Sequence, residues 1–323
     1  MEYNWQRKPD PETLLVTGVE GLVGANLALS LADRFEVLGL FESYPVALPG
    51  CATLSWTPAD SSDWIDLIHR ERPDWIVHCG LMACGSWDVP ESCPDGEQEA
   101  RTCALLAEVS QEVGSRLTVI STDAVFAGPR LFHDERAAAA SRQPLARAAR
   151  QAEGALEATG ALVVRTHPYG WSPAGTPPGF AERVWEALIE GRSTRFDPDR
   201  HATPILATCL AELLRLAYHR GLQGRYHVAG AERVSAYRFA VELAAAFGLR
   251  SGDTLADEAP LDLDDSAHLR ETSLSTRRAR RELGRPMPML REGLDRFAEQ
   301  AADGYRARLQ CCVPQAAVAA GAA

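Results

Sequence analysis

The run Thr17-Gly18-Val19-Glu20-Gly21-Leu22-Val23-Gly24 lies between TLLVT at 13–17 and ANLALSLAD at 25–33. A short apolar run that stops at glycine predicts a buried parallel strand. The segment after the loop predicts a helix. Glycines 18, 21 and 24 suit a tight turn, close backbone approach to a pyrophosphate, and close packing of helix on strand. The helix N-terminus adds amides and a partial positive charge. The expected ligand of Gly18, Gly21, Leu22, Val23 and Gly24 is a nicotinamide dinucleotide. Glu42, after the second strand, is placed to bind a ribose 2′-hydroxyl and to repel a 2′-phosphate, which favours NAD over NADP. Asp60 and Ser61, after a third strand region, are candidates for the adenine end. Cys79 and Gly80, at the end of the fourth strand, are candidates for the crevice that holds the cofactor. Their neighbour His78 reads as a core histidine.

Working outward, strands are predicted over 35–41, 75–79, 116–121 and 161–165. Helices are predicted over 62–70, 97–113 and 145–159. This alternation implies an α/β fold: a doubly wound, parallel Rossmann-type sheet with helices on both faces. Beyond 170 the rhythm breaks. Helices are expected near 180–190, 207–219 and 236–247, and a lone strand over 226–229. The resulting division has a loose leader at 1–12 and a dinucleotide-binding domain at 13–168, with a returning segment about 205–230. A smaller mixed C-terminal substrate lobe takes 169–204 and 231–300, and a tail takes 301–323.

The composition narrows the function. A net charge of −11 over 323 residues disfavours a nucleic-acid partner. No apolar run reaches the roughly 18 residues of a membrane span, and the polar start MEYNWQRKPDPE lacks a signal-peptide core. A soluble, cytoplasmic protein is expected. Its eight cysteines, at 51, 79, 84, 93, 103, 209, 311 and 312, form no C-x-x-C pair, so no metal is expected. Of its 33 basic residues only Lys8 is a lysine, which removes Schiff-base chemistry and the phosphate-loop lysine.

The loop resembles that of extended short-chain dehydrogenases/reductases, and further motifs resemble dTDP-4-dehydrorhamnose reductases. Arg72-Pro73-Asp74-Trp75-Ile76-Val77 is similar to their R-P-D-x-I-V. Ser121-Thr122-Asp123-Ala124-Val125-Phe126-Ala127-Gly128 is similar to S-T-D-Y-V-F-x-G. Arg165-Thr166 with Tyr169-Gly170 resembles R-T-S-x-V-Y-G, one residue shorter. Thr203-Pro204 resembles their substrate-loop Pro-Thr, and 224–230 (GRYHVAG) resembles G-x-Y-H-x-A-G. Leu283-Gly284 and 291–294 (REGL) resemble their last helix. The likeness implies a nucleotide-sugar reductase fold, with NAD or NADP in the N-terminal lobe and a nucleotide sugar between the lobes.

The departures fall on the chemistry. The family's proton donor and its helper form Tyr-x-x-x-Lys. Aligning on Pro144 and Gly154 puts Arg147 at the Tyr and Gln151 at the Lys. Arginine is a poor acid and glutamine does not titrate. Thr122 holds the family's helper-hydroxyl position. Tyr169 and His167 are the remaining acids near a strand end. Ala124 replaces a Tyr, Glu99 stands where the family has Asn, and Cys209 where it has Asp. Thr122 and Tyr169 are therefore the catalytic candidates.

Two functions follow. One is an NAD(P)-binding, reductase-like protein without ordinary reductase activity, acting as a regulatory or sensor subunit, as a homodimer or with a partner enzyme. The other is a divergent oxidoreductase on a nucleotide sugar or related carbonyl compound, with a non-standard proton donor. Elsewhere, adjacency makes His133-Asp134-Glu135 a poor metal set. Arg192 and Arg195 could meet a diphosphate, and the acidic stretch 262–265 reads as a solvated loop.

Overall fold

A computed structural model describes residues 11–57, 60–89, 95–250, 255–257 and 270–310. The acidic stretch 262–265, Cys93, Cys311, Cys312, residues 1–10 of the leader and 311–323 of the tail lie outside the described residues.

The strands are β1 Thr13–Thr17, β2 Glu36–Phe41, β3 Cys51–Ser55, β4 Trp75–His78, β5 Arg116–Thr122, β6 Leu162–Thr166, β7 Pro168–Tyr169, β8 Thr194–Phe196, β9 His201–Ala202, β10 Ile205–Leu206, β11 Gly224–His227, β12 Val234–Ser235 and β13 Leu255–Asp257. The helices are α1 Leu22–Leu31, α2 Ser61–Glu71, α3 Gly96–Val113, α4 Pro144–Ala155, α5 Phe180–Glu190, α6 Ala207–His219, α7 Ala236–Ala246, α8 Arg277–Leu283, α9 Leu290–Ala302 and α10 Tyr305–Leu309.

Seven strands form one parallel sheet in the order β11-β6-β5-β4-β1-β2-β3. The chain starts at β1, runs to one edge through β2 and β3, then crosses back to β4 on the other side of β1. This reversal beside β1 is the topological switch point of a doubly wound sheet, where a crevice opens at the carboxyl ends of the strands. Strand alternation divides the core. Leu14 and Val16 of β1 join one cluster with Leu27 of α1 and Leu210 of α6. Leu15 joins the other, with Ile68 of α2 and Leu106 of α3.

Three expectations need adjustment. Helix α1 starts at Leu22 rather than 25, because Gly21 serves as its N-cap. Helix α4 ends at Ala155 rather than 159, just ahead of Ala158 and Gly160, which both have positive φ. The strand expected alone over 226–229 is β11. It pairs in parallel with β6, with Tyr226 beside Val164, and forms an edge of the main sheet. The remaining strands make three two-stranded pairs, β7 with β10, β9 with β12 and β8 with β13.

Candidate active site

Gly18 has φ +69°, and a Cβ there would lie 1.9 Å from the Cys79 carbonyl oxygen. Only glycine lets the chain turn here against the end of β4. A Cβ on Gly24 would lie 2.2 Å from the Gly18 carbonyl oxygen, so the third glycine seats α1 against the loop. A Cβ on Gly21 would meet nothing nearer than 3.4 Å, which leaves its outer side open to a ligand. No side chain caps α1. The first-turn amides of Leu22, Val23 and Gly24 therefore have no intrahelical acceptor and face the helix end where anions bind. Val23 is buried, while Leu22 reaches toward Gly179. Asp60 and Ser61 open α2 at the same edge, and Asp60 accepts a hydrogen bond from Ser62 Oγ at 2.9 Å. Glu42 follows β2 and is exposed. Partial burial, then the charges of Glu20 and Glu99, push its carboxyl up.

Beneath Gly80 lies a buried cluster. His78 Nε2 is 3.0 Å from Glu99 Oε1, and His78 Nδ1 is 2.7 Å from Thr17 Oγ1. Cys103 completes it, with one ligand-type atom of each of His78, Glu99 and Cys103 within 4.8 Å of the others. Burial alone would push His78 down. The Glu99 charge and hydrogen bonds to Cys103 and Glu99 outweigh it and hold the imidazole at about 10. The raised imidazole favours a charged His78 paired with Glu99 beneath the loop. A side chain at position 80 would not fit, since its Cβ would stand 2.1 Å from Glu99 Oε1.

A pH dependence follows. In the unfolded chain the imidazole titrates near ~6.5; in the native protein it titrates at about 10. Its contribution is full below the unfolded value and is lost as pH rises through the native one. The unfolding free energy is expected to fall across pH 7 to 10, with a slope of up to about 1.4 kcal/mol per pH unit. Urea titrations at successive pH values measure this. Glu99→Gln should flatten the slope, and an unchanged slope in that variant refutes the pairing.

The catalytic candidates are rearranged. Thr122 is fully buried, and its hydroxyl accepts from the Ala124 amide at 3.0 Å, capping a short turn at 123–125. Tyr169 does not face that turn. Its ring packs on Phe239 and Phe297 in the core, and its hydroxyl lies beside Gly293 of α9, where a Cβ would stand 2.3 Å away. Burial pushes its phenol well up. It is a packing aromatic, because the strand end carries it under α9.

The assignment of Arg147 and Gln151 to the donor and helper places also changes. Both are exposed, and Gln151 lies against Gly96 of α3. The α4 face toward the sheet carries Leu145 and Ala149, an i,i+4 pair. Leu145 packs on Ala124, next to Asp123 and Thr122, and Ala149 is fully buried. Arg147 and Gln151 thus lie off the buried face of α4, which carries Leu145, Ala146, Ala148, Ala149, Ala152 and Glu153.

Past Thr122 a buried polar knot joins distant segments. Asp123 accepts from Ser86 N at 2.8 Å, Ser86 Oγ at 2.9 Å, His167 Nδ1 at 2.8 Å and Thr272 Oγ1 at 2.5 Å. Arg200 Nη2 donates to the Ser86 carbonyl at 2.6 Å. Ser86 and Thr272 carried no sequence signal, since nothing local marks a partner so far along the chain. Ser86 and His167 both bond Asp123, and Ser86 Oγ stands 3.4 Å from the same His167 nitrogen that Asp123 uses. That is not the relay order of a Ser-His-Asp nucleophile.

His133, Asp134 and Glu135 diverge. His133 stacks on Phe126 at 4.3 Å, Asp134 caps a turn through Arg136 N, and Glu135 accepts from His227 N. Arg192 pairs with Glu190, and Arg195 lies in β8. No described helix is long and apolar enough to cross a membrane.

A family model described as RmlD substrate binding domain matches residues 12–302. No curated protein matches significantly. Among solved structures, a hypothetical dTDP-4-dehydrorhamnose reductase from Sulfolobus tokodaii is similar, with a TM-score of 0.70 and 23% identity over 83% of this chain and 94% of that one. The dTDP-4-dehydrorhamnose reductase of Bacillus anthracis, in complex with NADP, has a TM-score of 0.72 and 21% identity over 90% and 99%. The Bordetella bronchiseptica enzyme WbmH, in complex with NAD+, has a TM-score of 0.73 and 17% identity over 91% and 99%.

Proposed function

The chain belongs to the RmlD substrate binding domain family, and on that footing we propose that it binds a nicotinamide dinucleotide without performing ordinary ketone reduction. The glycine loop, the uncapped start of α1 and the open side of Gly21 support the binding. NAD is the favoured form, and a nucleotide sugar is the second ligand. The observation that supports the loss of reduction is the packing of Leu145, from α4, on Ala124 beside Thr122, with Ala149 buried one turn further on. Delivery of a hydride to a ketone needs a proton at the nascent alkoxide. Leucine and alanine supply neither an acid nor a cation to lower its pKa. A protein that binds both ligands and turns neither over suits a regulatory or sensor subunit. The described cysteines 51, 79, 84, 103 and 209 are free thiols, in keeping with a reducing cytoplasm.

Calorimetry with NAD and NADP tests the binding. Gly21→Asp places a carboxylate where the pyrophosphate would lie, and binding should drop below detection. Undiminished affinity in this variant would remove the loop from the site.

The second reading, a divergent oxidoreductase, is favoured by one observation. His167, just past the end of β6, carries an ionisable ring oriented by Asp123 at 2.8 Å. If it donates the proton, any turnover should vanish in His167→Asn while dinucleotide affinity stays.

A further inference from the structure

Glu20 sits inside the glycine loop, between the turn at Gly18 and the N-cap Gly21. Its side chain crosses to the end of β2. Oε1 accepts from the Glu42 amide at 2.7 Å and from the Ser43 amide at 3.3 Å. Oε2 is buried and has no partner. The end of β2 is where a doubly wound dinucleotide fold receives the adenosine ribose. Backbone amides there are the natural donors to a phosphate on that ribose. Here they are already committed to a carboxylate. The sequence offers no local cation to offset it: residues 17–31 and 36–57, which form the loop, α1, β2 and β3, contain neither Lys nor Arg.

We infer that Glu20 selects the cofactor, its carboxylate holding the amides that a ribose 2′-phosphate would need and offering its free oxygen to an unphosphorylated ribose hydroxyl. The inference rests on the dinucleotide reading above and moves the selecting charge from Glu42 into the loop. Glu42 contributes its amide, and its own carboxylate stays exposed. The free Oε2 is the second half of the device. A buried carboxylate oxygen without a donor is costly, and a ribose hydroxyl supplies the missing donor. A 2′-phosphate brings only acceptors and more negative charge to the same point.

The test measures NAD and NADP affinities of the full chain by calorimetry, for the wild type, Glu20→Gln and Glu20→Ser, after thermal melts show that each variant folds. A hydrogen bond involving a charged group is worth about 1.5–3 kcal/mol, on the order of 10–100-fold in affinity. Glu20→Ser should weaken NAD by that order and strengthen NADP, reversing or erasing the preference. Glu20→Gln keeps the shape but not the charge and should narrow the preference. A wild type that binds NAD, with a ratio unmoved by either substitution, overturns the inference and leaves the dinucleotide reading standing. So does a ratio that follows Glu42→Gln instead. A Glu20→Ser protein that binds both cofactors where the wild type binds neither overturns it as well, since the carboxylate would then exclude the dinucleotide. If no variant binds either cofactor, the dinucleotide reading itself falls, and the selection with it.

Discussion

Mixed with NADH or NADPH and a dTDP-4-keto-6-deoxy sugar, the protein is expected to oxidise essentially no cofactor. The loss of a positioned proton donor alone costs about 10²–10⁴-fold in rate. Here the buried face of α4, where Leu145 packs on Ala124, carries no Tyr and no Lys. Arg147→Tyr with Gln151→Lys should not rescue it, because both positions are exposed and Gln151 abuts α3. Leu145→Tyr with Ala149→Lys should restore more turnover than the two single changes combined, since such a pair acts as a unit. Both sites are buried, so overpacking of about 1–3 kcal/mol per site is expected, and the assay follows a melt showing that the double variant folds. The readout is loss of absorbance at the reduced nicotinamide band. Brisk turnover by the unmodified protein would overturn the proposed function.

The largest expected stability effect lies one turn further along the same helix. Glu153 is buried among its partners. Its Oε1 accepts from Ser121 Oγ at 2.7 Å and Arg165 Nε at 2.8 Å, and its Oε2 accepts from Arg165 Nη2 at 2.6 Å. Arg165 is itself only 2% exposed and lies over the Phe126 ring. Glu153→Ala strands that guanidinium in the core and should cost about 3–5 kcal/mol in chemical denaturation. Replacing both residues, Glu153→Leu with Arg165→Met, should recover much of the loss, because no fully buried charge is stranded and the partly exposed Arg225, which also reaches Glu153 at 3.2 Å, keeps Glu157 nearby. A single-variant loss under about 1 kcal/mol would show that Arg165 finds water or another partner.

The glycine loop was legible because everything it needs is local. A strand that stops, three glycines and a helix start lie within one short run. The sheet followed from the alternation of elements, and the want of any lysine beyond Lys8 is plain in the sequence. The facing of α4 was legible but overridden. Its sequence PLARAARQAEGA sets Leu145, Ala149 and Ala152 on one face and Arg147, Gln151 and Gly154 on the other, and an alignment hung on Pro144 and Gly154 put the pair on the polar face. Pro144 begins the helix and Gly154 is exposed near its end; neither touches the sheet. The burial of Leu145, Ala149 and Glu153 fixes the facing instead. The placement of Tyr169 failed for a related reason. A strand end carries a residue toward a site only if the chain continues straight, and β7 instead pairs with β10 beneath α9. The Asp123 knot draws on residues 86, 167 and 272, and separations of that size leave no trace in local spacing.

Helix α1 has its own distant dependants. Asn26, wholly buried in its middle, donates to the Trp171 carbonyl at 2.8 Å, and the Tyr305 hydroxyl donates to Asn26 Oδ1 at 3.1 Å. The side chain that anchors the helix behind the glycine loop therefore waits for residues made much later. During synthesis, at roughly 5–20 residues per second, β1 and α1 emerge long before either partner, and the pair is complete only once Tyr305 leaves the ribosome. A chain truncated before α10 would carry the whole loop sequence, yet the amide of Asn26 would lack its outer clasp. The nascent protein thus acquires this last grip on α1 only when 279 further residues have followed Asn26.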